Sequence, residues 1–416
     1  MKSILFMMLL VVHSITGKAQ TDLYQFRELA RQHYPKLEQA ELMTKIAALK
    51  NQNTQSNYLP QVELKGQATY QSEVIEFDLP IPGFEFEPVS RDQYKIYLDL
   101  KQNIWDGGLT KTKKELEMAA LETDLQKLKI EIQQVFQMVD AYYFGILMVE
   151  KSSSVLSAQQ SVLSGQLNKL EQAINYGAAR GKEKLQLEME NLLIEQKILE
   201  LQSRKKSFVA MLEVLTGQPI NNGVQMSIPD SVQVQTVQLR PELKYFELQM
   251  QQINHANVLL KSSRNPMFFG FGQAGYGKPG FNMLKNEFSP YYIFGVGLNW
   301  KLTDWKQTSH SLEINAHNRA LIGTIQNDFL QKQQIQMVEA NEKINYLKAL
   351  IKTDENLVEG RQSIAQSASA ELQNGTINST NYLIDLNAET VARINLEMHK
   401  IQLIQAIFNY NSLLGY

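Results

Sequence analysis

Two hydrophobic periods run along the chain. From Met118 onward, apolar residues recur at steps of four and three: Leu121, Leu125, Leu128, Ile132, Val135, Val139, Tyr142, Ile146 and Val149. After Ser153 the series resumes at Leu156, misses at Gln160, and continues through Leu163, Leu167, Leu170 and Ile174. Steps of that kind make a coiled-coil seam. No proline occurs between Pro88 and Pro219, so nothing interrupts a helix predicted over about 108–175. At about 1.5 Å per residue it would be roughly 100 Å long. No compact domain has a core of that length, so the helix is expected to lie against partners along an extended shaft. Further helices are predicted at about 22–57, 182–216, 240–263 and 379–414.

The other period is two. Tyr94, Ile96, Leu98, Leu100 and Ile104 alternate with Lys95, Asp99, Lys101 and Asn103. The same phase returns in Tyr292, Phe294, Val296, Leu298, Trp300 and Leu302. Val62, Leu64, Ala68 and Tyr70, set against Glu63, Lys65 and Gln67, predict another strand, whereas MFFGFGQAGY (267–276) is glycine-rich and poorly phased. Alternation puts apolar side chains on one face and polar ones on the other. An antiparallel sheet with one solvated face alternates in the same way, so the strands alone leave their surroundings open.

These segments belong to a longer repetition. GQATY (66–70) returns as GQAGY (272–276), and the 206-residue offset also brings Pro60 onto Pro266, Leu37 onto Leu243 and Pro35 onto Pro241. LDLKQNIWD (98–106) matches VGLNWKLTD (296–304) at an offset of 198, which also brings Gly177 onto Gly375, Leu185 onto Leu383, and LTG (215–217) onto LLG (413–415). The offset changes across a single loop, longer at 71–93 than at 277–291. An indel confined to one loop, with register kept on both sides, is the mark of tandem duplication. Two copies of one unit are therefore expected, 20–217 and 238–416, joined by a linker at 218–237; the joint GQPINNGVQMSIPDSVQVQ (217–235) carries two each of Gly, Pro and Asn. Each unit reads helix, strand, loop, strand, very long helix, turn, helix. The fold class is α+β, with long antiparallel coiled-coil helices and four strands per chain.

Composition narrows what such a chain does. Its 416 residues carry 41 Lys+Arg against 43 Asp+Glu, without the concentrated basic face that nucleic acid requires. The absence of cysteine excludes disulfides, thiolate metal sites, a cysteine nucleophile and a lipid attached to an N-terminal cysteine. Lys2, the apolar run ILFMMLLVV (4–12) and GKAQ (17–20) read as a secretory signal peptide over 1–19, the run being too short for an anchor. No later stretch approaches the roughly 20 apolar residues of a spanning helix. A mature chain that enters a membrane must then do so with closed β-structure. Four strands cannot close a barrel. Two chains would supply eight, enough for a barrel filled by its own side chains, and three would supply twelve, enough for an aqueous lumen. Twelve strands at about 4.8 Å spacing and about 40° tilt give a diameter of roughly 24 Å. An apolar exterior with Lys, Asp, Glu and Asn inside suits a water-filled tube in lipid. The helices following Trp105–Asp106 and Asp304–Trp305 would extend that tube out of the membrane.

Taken together, the signal peptide, the duplication, the YLP before the first strand, the string LDLKQNIWDGG (98–108) and the turns at Gly177 and Gly375 resemble the TolC family of outer-membrane efflux and type I secretion channels. The resemblance covers essentially the whole mature chain. It implies a homotrimer whose twelve-strand β-barrel, in the outer membrane of a Gram-negative-type bacterium, is continuous with a helical barrel in the periplasm. The expected function is that of a passive export channel, the exit duct of a tripartite efflux or type I secretion system. The partners implied are a periplasmic adaptor protein and an inner-membrane pump, proton-driven or ATP-driven. Outer-membrane lipid would meet Tyr94, Ile96, Leu98, Leu100, Tyr292, Phe294, Val296, Leu298 and Trp300.

The same likeness makes the hairpin turns, NYGAARGKEKL (175–185) and QNGTINSTNYL (373–383), the periplasmic tip. Gly177, Ala178, Ala179 and Arg180, with Gly375, Thr376, Ile377 and Asn378, are thereby implied as adaptor contacts. Arg180 and Asn378 stand where the family often has Ser or Thr. Glu183 and Asp385 are implied at the pore entrance, with Asn381 in place of an expected acid. Carboxylates from three chains on one narrow ring would repel one another and attract cations. The plain alternative is two ordinary turns and solvated charges.

No catalytic, cofactor or metal site is expected. GFGQAG (270–275) matches G-x-G-x-x-G but lies in a strand instead of opening a helix. His310 and His317 would stand roughly 10 Å apart along a helix, too far to share a metal. The competing reading is a non-conducting extracytoplasmic coiled-coil structural protein, which explains the heptads and leaves the duplicated strand phase unexplained.

Overall fold

The computed structural model describes residues 23–75, 89–177, 180–221, 226–229 and 233–416. The signal peptide expected at 1–19 and the turn residues Ala178 and Ala179 lie outside them. In chain order the elements are α1 (Leu23–His33), α2 (Leu37–Gln55), a 3-10 turn (Ser56–Tyr58), β1 (Gln61–Tyr70), β2 (Asp92–Trp105), α3 (Leu109–Asn175) and α4 (Gly181–Thr216). They continue with α5 (Pro241–Ser262), β3 (Met267–Lys278), β4 (Ser289–Asn299), α6 (Gln307–Gln373) and α7 (Ser379–Leu414). α3 and α6 each have 67 residues, and α4 and α7 each have 36. α5 occupies the place equivalent to α2. Among the described residues of 229–239, the place equivalent to α1, there is no helix.

The chain forms two compact units. One contains Glu38–Lys127 and Glu242–Asp328; the other contains residues up to Leu37, Leu128–Pro241 and Phe329–Tyr416. Each draws on both halves of the sequence.

The first unit holds an antiparallel sheet in the order β1-β2-β3-β4. Its expected apolar face is exposed, Val296 the most open of the set at 81%. On the opposite face Lys65 pairs with Asp99 and, at 3.0 Å, with Glu63, and Gln273 Nε2 donates to Asp99 Oδ1 at 3.0 Å. The poor phase of 267–276 has a cause on this face. The rings of Phe269 and Phe271 lie over Gly297 and Gly295, where an added Cβ would come within 2.4 and 2.5 Å of them. Aromatic side chains there shield the backbone of glycines on the next strand, and Lys101 Nζ stands 4.9 Å from the Phe269 ring centre.

The second unit is helical. Leu23, Phe26 and Ala30 of α1 join Val139, Tyr143 and Phe144 of α3 and Leu212 of α4 in one buried cluster. Arg27 enters this cluster with its charge met: Nε donates to Asp140 Oδ1 at 2.8 Å and Nη2 to Oδ2 at 2.5 Å. A second cluster gathers Leu156, Leu163, Leu187, Ile194, Tyr382 and Leu386. The predicted seam from Leu121 to Ile174 is buried or half-buried at every apolar position. At its one miss the buried residue is Gln159, not Gln160. Gln159 Nε2 donates to Asn387 Oδ1 at 2.6 Å, and Asn387 Nδ2 donates to Glu190 Oε1 at 3.0 Å. Among the described residues no helix is long and apolar enough to cross a membrane.

Candidate functional site

The hairpin tips begin where α3 and α6 stop. Gly177 and Gly375 take φ of +73° and +72°, and their N–H groups donate to Ile174 O at 2.9 Å and Leu372 O at 3.1 Å. A Cβ at either glycine would meet nothing within 4 Å. The left-handed backbone, rather than crowding, is what selects glycine there.

The helices then restart differently. α7 has a side-chain cap, with Asn378 Oδ1 accepting from the Asn381 N–H at 3.0 Å. α4 has Arg180 at its N-cap and no side-chain cap, while Glu183 lies in its first turn, where a carboxylate complements the helix dipole. Thr376 Oγ1 donates to Glu371 O at 2.9 Å. Lys184 Nζ reaches Glu171 Oε1 at 2.8 Å across the α3–α4 turn. Their hydrogen bond and mutual charge hold the Glu171 carboxyl below its usual range and raise the Lys184 ammonium.

A cleft of about 690 Å³ brings Arg180, Glu183, Gly375, Thr376, Ile377 and Asn378 together. Gly177, Asn381 and Asp385 are not among its lining residues. A second groove, of about 510 Å³, runs between α4 and α7 and is lined by Leu185, Met189, Leu193, Leu383 and Ile384 among others. The sequence reading missed this groove as a surface. Its available signal was the superposition of Leu185 on Leu383 under the 198-residue offset.

At the other end of the long helices, Asp106 and Asp304 close the strand-to-helix turns. Asp106 accepts from the Thr110 N–H at 2.7 Å, the Gly108 N–H at 3.1 Å and the Tyr58 hydroxyl at 2.7 Å. Burial pushes its carboxyl up, but the Thr110, Tyr58 and Gly108 donors together outweigh burial and hold it below the usual aspartate value. Asp304 accepts from the Thr308 N–H at 3.1 Å. The two residues that follow each aspartate take positive φ: Gly107 and Gly108 at 69° and 87°, Trp305 and Lys306 at 49° and 66°.

On the sheet, Tyr94, Ile96, Leu98 and Leu100 of β2 share one exposed face with Tyr292, Phe294, Val296 and Leu298 of β4, and Trp300 follows just past β4. Between them β3 places Ala274 opposite Leu98 and Gly272 opposite Leu100. One face can meet hydrocarbon and the other water. Among the described residues no group of three or more His, Asp or Glu is placed to hold a metal ion, and GFGQAG lies inside β3.

No protein-family model matches the chain, and no curated protein matches it in sequence. Solved structures do. The outer membrane protein VceC of Vibrio cholerae superposes with a TM-score of 0.69 at 14% identity, over 94% of this chain and 96% of that one. The fold is TolC-like. The outer membrane channel CmeC of Campylobacter jejuni gives 0.64 at 14% identity, over 94% and 85% of the two chains. The MtrE outer membrane channel of Neisseria gonorrhoeae, in its open state, gives 0.68 at 12% identity, over 94% and 88%. Identity this low makes the likeness one of fold, and at that level the expected long helices and four strands are present.

Proposed function

We propose that the chain is the subunit of a passive outer-membrane export channel. Three copies close a twelve-strand barrel, and the helices carry its lumen through the periplasm as the exit duct of a tripartite efflux or type I secretion system. The observation that carries this reading is a four-stranded sheet with two open edges and an exposed apolar face, set in a TolC-like fold. Four strands cannot enclose a lumen, and a sheet that is apolar on one side and charged on the other fits a wall between lipid and water. Equal lengths of α3 and α6, and of α4 and α7, support 20–217 and 238–416 as two copies of one unit around linker 218–237.

In this reading Gly177, Ala178, Ala179, Arg180, Gly375, Thr376, Ile377 and Asn378 form the tip that a periplasmic adaptor grips, and an inner-membrane pump drives the cargo. Glu183 and Asp385, with Asn381, border the pore entrance. The chain supplies a conduit and no catalytic group. Purified full-length protein is expected to form an SDS-resistant oligomer that heating dissociates, and to give discrete ion conductance in planar bilayers. Neutralising Glu183 and Asp385 is expected to raise that conductance and weaken block by divalent cations. A soluble, elongated, non-conducting species would favour the coiled-coil structural protein instead.

A further inference from the structure

The charged face of the sheet is not polar throughout. On β1 and β2 it carries Glu63, Lys65, Gln67, Lys95, Asp99 and Lys101, which the register places on one side. β3 and β4 add a different set. Phe269 and Phe271 pair across the ladder with Gly297 and Gly295, while Ile293 and Tyr291 lie opposite Gln273 and Gly275. Tyr97 flanks Gly275 from the β2 side. Past the end of β3, the Phe281 ring stands edge-on to Tyr291 with ring centres 4.7 Å apart. These side chains follow one line along the strands, about 20 Å from Phe269 to the level of Tyr291 at about 3.4 Å per residue.

An apolar strip on a face built for water is unfavourable unless something covers it, and the lumen of a membrane barrel is ordinarily polar. Glycine shielding accounts for part of the strip. The rings of Phe269 and Phe271 occupy the space over Gly297 and Gly295, yet both side chains stay half-buried. The side chains of Tyr291, Ile293 and Phe281 stand over no glycine, and Ile293 and Phe281 are 39% and 55% exposed. Shielding leaves these three unexplained.

The charge beside the strip has a definite sign. β3 and β4 contain no acidic residue. Both acids of this face, Glu63 and Asp99, gather on Lys65, and Asp99 also accepts from Gln273. Lys95 and Lys101 form no ion pair among the described residues. Lys101 sits directly across from Phe271 and holds its Nζ 4.9 Å from the Phe269 ring centre. Lys95 sits across from Gly277, beyond the level of Tyr291. The strip thus has a lysine near each end and no carboxylate on its own two strands.

We propose that this strip is a cargo track for amphipathic organic anions, molecules with an aromatic body and a carboxylate or sulfonate. The inference rests on the channel reading and names the class of cargo that the duct itself favours. The aromatic body moves along Phe269, Phe271, Ile293 and Tyr291, while the anionic group passes from Lys101 to Lys95. In a tube roughly 24 Å across at the backbone, side chains narrow the path enough for such a molecule to meet the wall. Each contact is weak and the next lies close by, so the track draws cargo in without trapping it, as conduction requires. A simple inorganic ion gains nothing from the rings, and an organic cation is repelled by both lysines.

Block of single-channel current tests the track in the full-length protein in planar bilayers. Probes are added from the side of the β3–β4 loop, so that they meet the strip before the acidic residues of the hairpin tips. Naphthalenesulfonate is expected to block at about tenfold lower concentration than methanesulfonate, which lacks the ring, or naphthylmethylammonium, which reverses the charge. Lys101→Gln and Ile293→Ser, neither of which uncovers a glycine, should each weaken naphthalenesulfonate block by about fivefold relative to the unblocked current. The ranking of the three probes on the unsubstituted protein decides the matter even where a variant fails to assemble. Equal block by the three probes, stronger block by the ammonium, or conducting variants blocked like the parent would overturn the track and leave the channel standing. No conductance from the unsubstituted protein would overturn both.

Discussion

Asp106 fastens the start of α3 with three donors, whereas Asp304 holds the equivalent start of α6 with the Thr308 N–H. Asp106→Ala is therefore expected to cost about 1–2 kcal/mol, the upper part of the range for a lost N-cap, in guanidinium unfolding of the folded protein. Asp304→Ala should cost less. The pH dependence has a definite sign. The folded Asp106 carboxyl is held below its usual value, so its stabilisation is complete above the unfolded value of about 3.9 and is lost as pH falls through the depressed one. Asp106→Asn should flatten the stability curve in that acid window. Arg27 and Asp140 pose a sharper case, since both are buried and paired in a bidentate geometry. Arg27→Met alone leaves an unpartnered buried carboxylate and should cost about 3–5 kcal/mol, while Arg27→Met with Asp140→Leu should recover most of the loss. Neither role was legible in the sequence. Asp106 showed only as part of a WDGG string, and the partner of Asp140 lies 113 positions away.

The elements themselves were easier to read, because long periodic stretches declare their type and glycines mark their ends. The first 67-residue helix and the turns at Gly177 and Gly375 followed from those signals, and the second from the duplication. What stayed hidden depends on pairing across the chain. The phase of 267–276 looked poor because Phe269 and Phe271 serve glycines on β4, which no local pattern reveals. The tip cleft joins two turns that are far apart in sequence, so the sequence offered its glycines and polar residues but not their meeting. Likewise no helix stands among the described residues of 229–239, the place equivalent to α1, and Val338, the counterpart of the buried Asp140, is exposed. Duplication also isolates one strained feature. Lys306 holds φ of +66° where the first copy has Gly108, and a left-handed non-glycine residue costs roughly 1–2 kcal/mol. Lys306→Gly should relieve part of this and raise stability by about 1 kcal/mol. Gly375→Ala imposes the same strain at an open position and should lower stability by about 1 kcal/mol, read as faster amide exchange around residues 372–376.

At the scale of the molecule, the channel reading makes the two faces of the sheet unequal in what they tolerate. Leu98 sits midway along β2 on the apolar face, opposite Leu64 on one neighbour and Ala274 on the other. If lipid covers that face, Leu98→Arg places a charge near the middle of the hydrocarbon and should cost about 2–4 kcal/mol. Gln67 is on the opposite face, directly across from Lys95. Gln67→Glu there adds a charge that water solvates and Lys95 complements, and should change stability by less than about 0.5 kcal/mol. Trp105, Trp300 and Trp305 are the only tryptophans of the chain and all lie at one end of the sheet, so guanidinium unfolding in lipid vesicles can be followed by their fluorescence. The contrast between the two substitutions matters more than either value, since both perturb the same sheet and share its unfolded state. Equal tolerance of Leu98→Arg and Gln67→Glu would mean that water reaches both faces, and no lipid-embedded wall could be built from these strands.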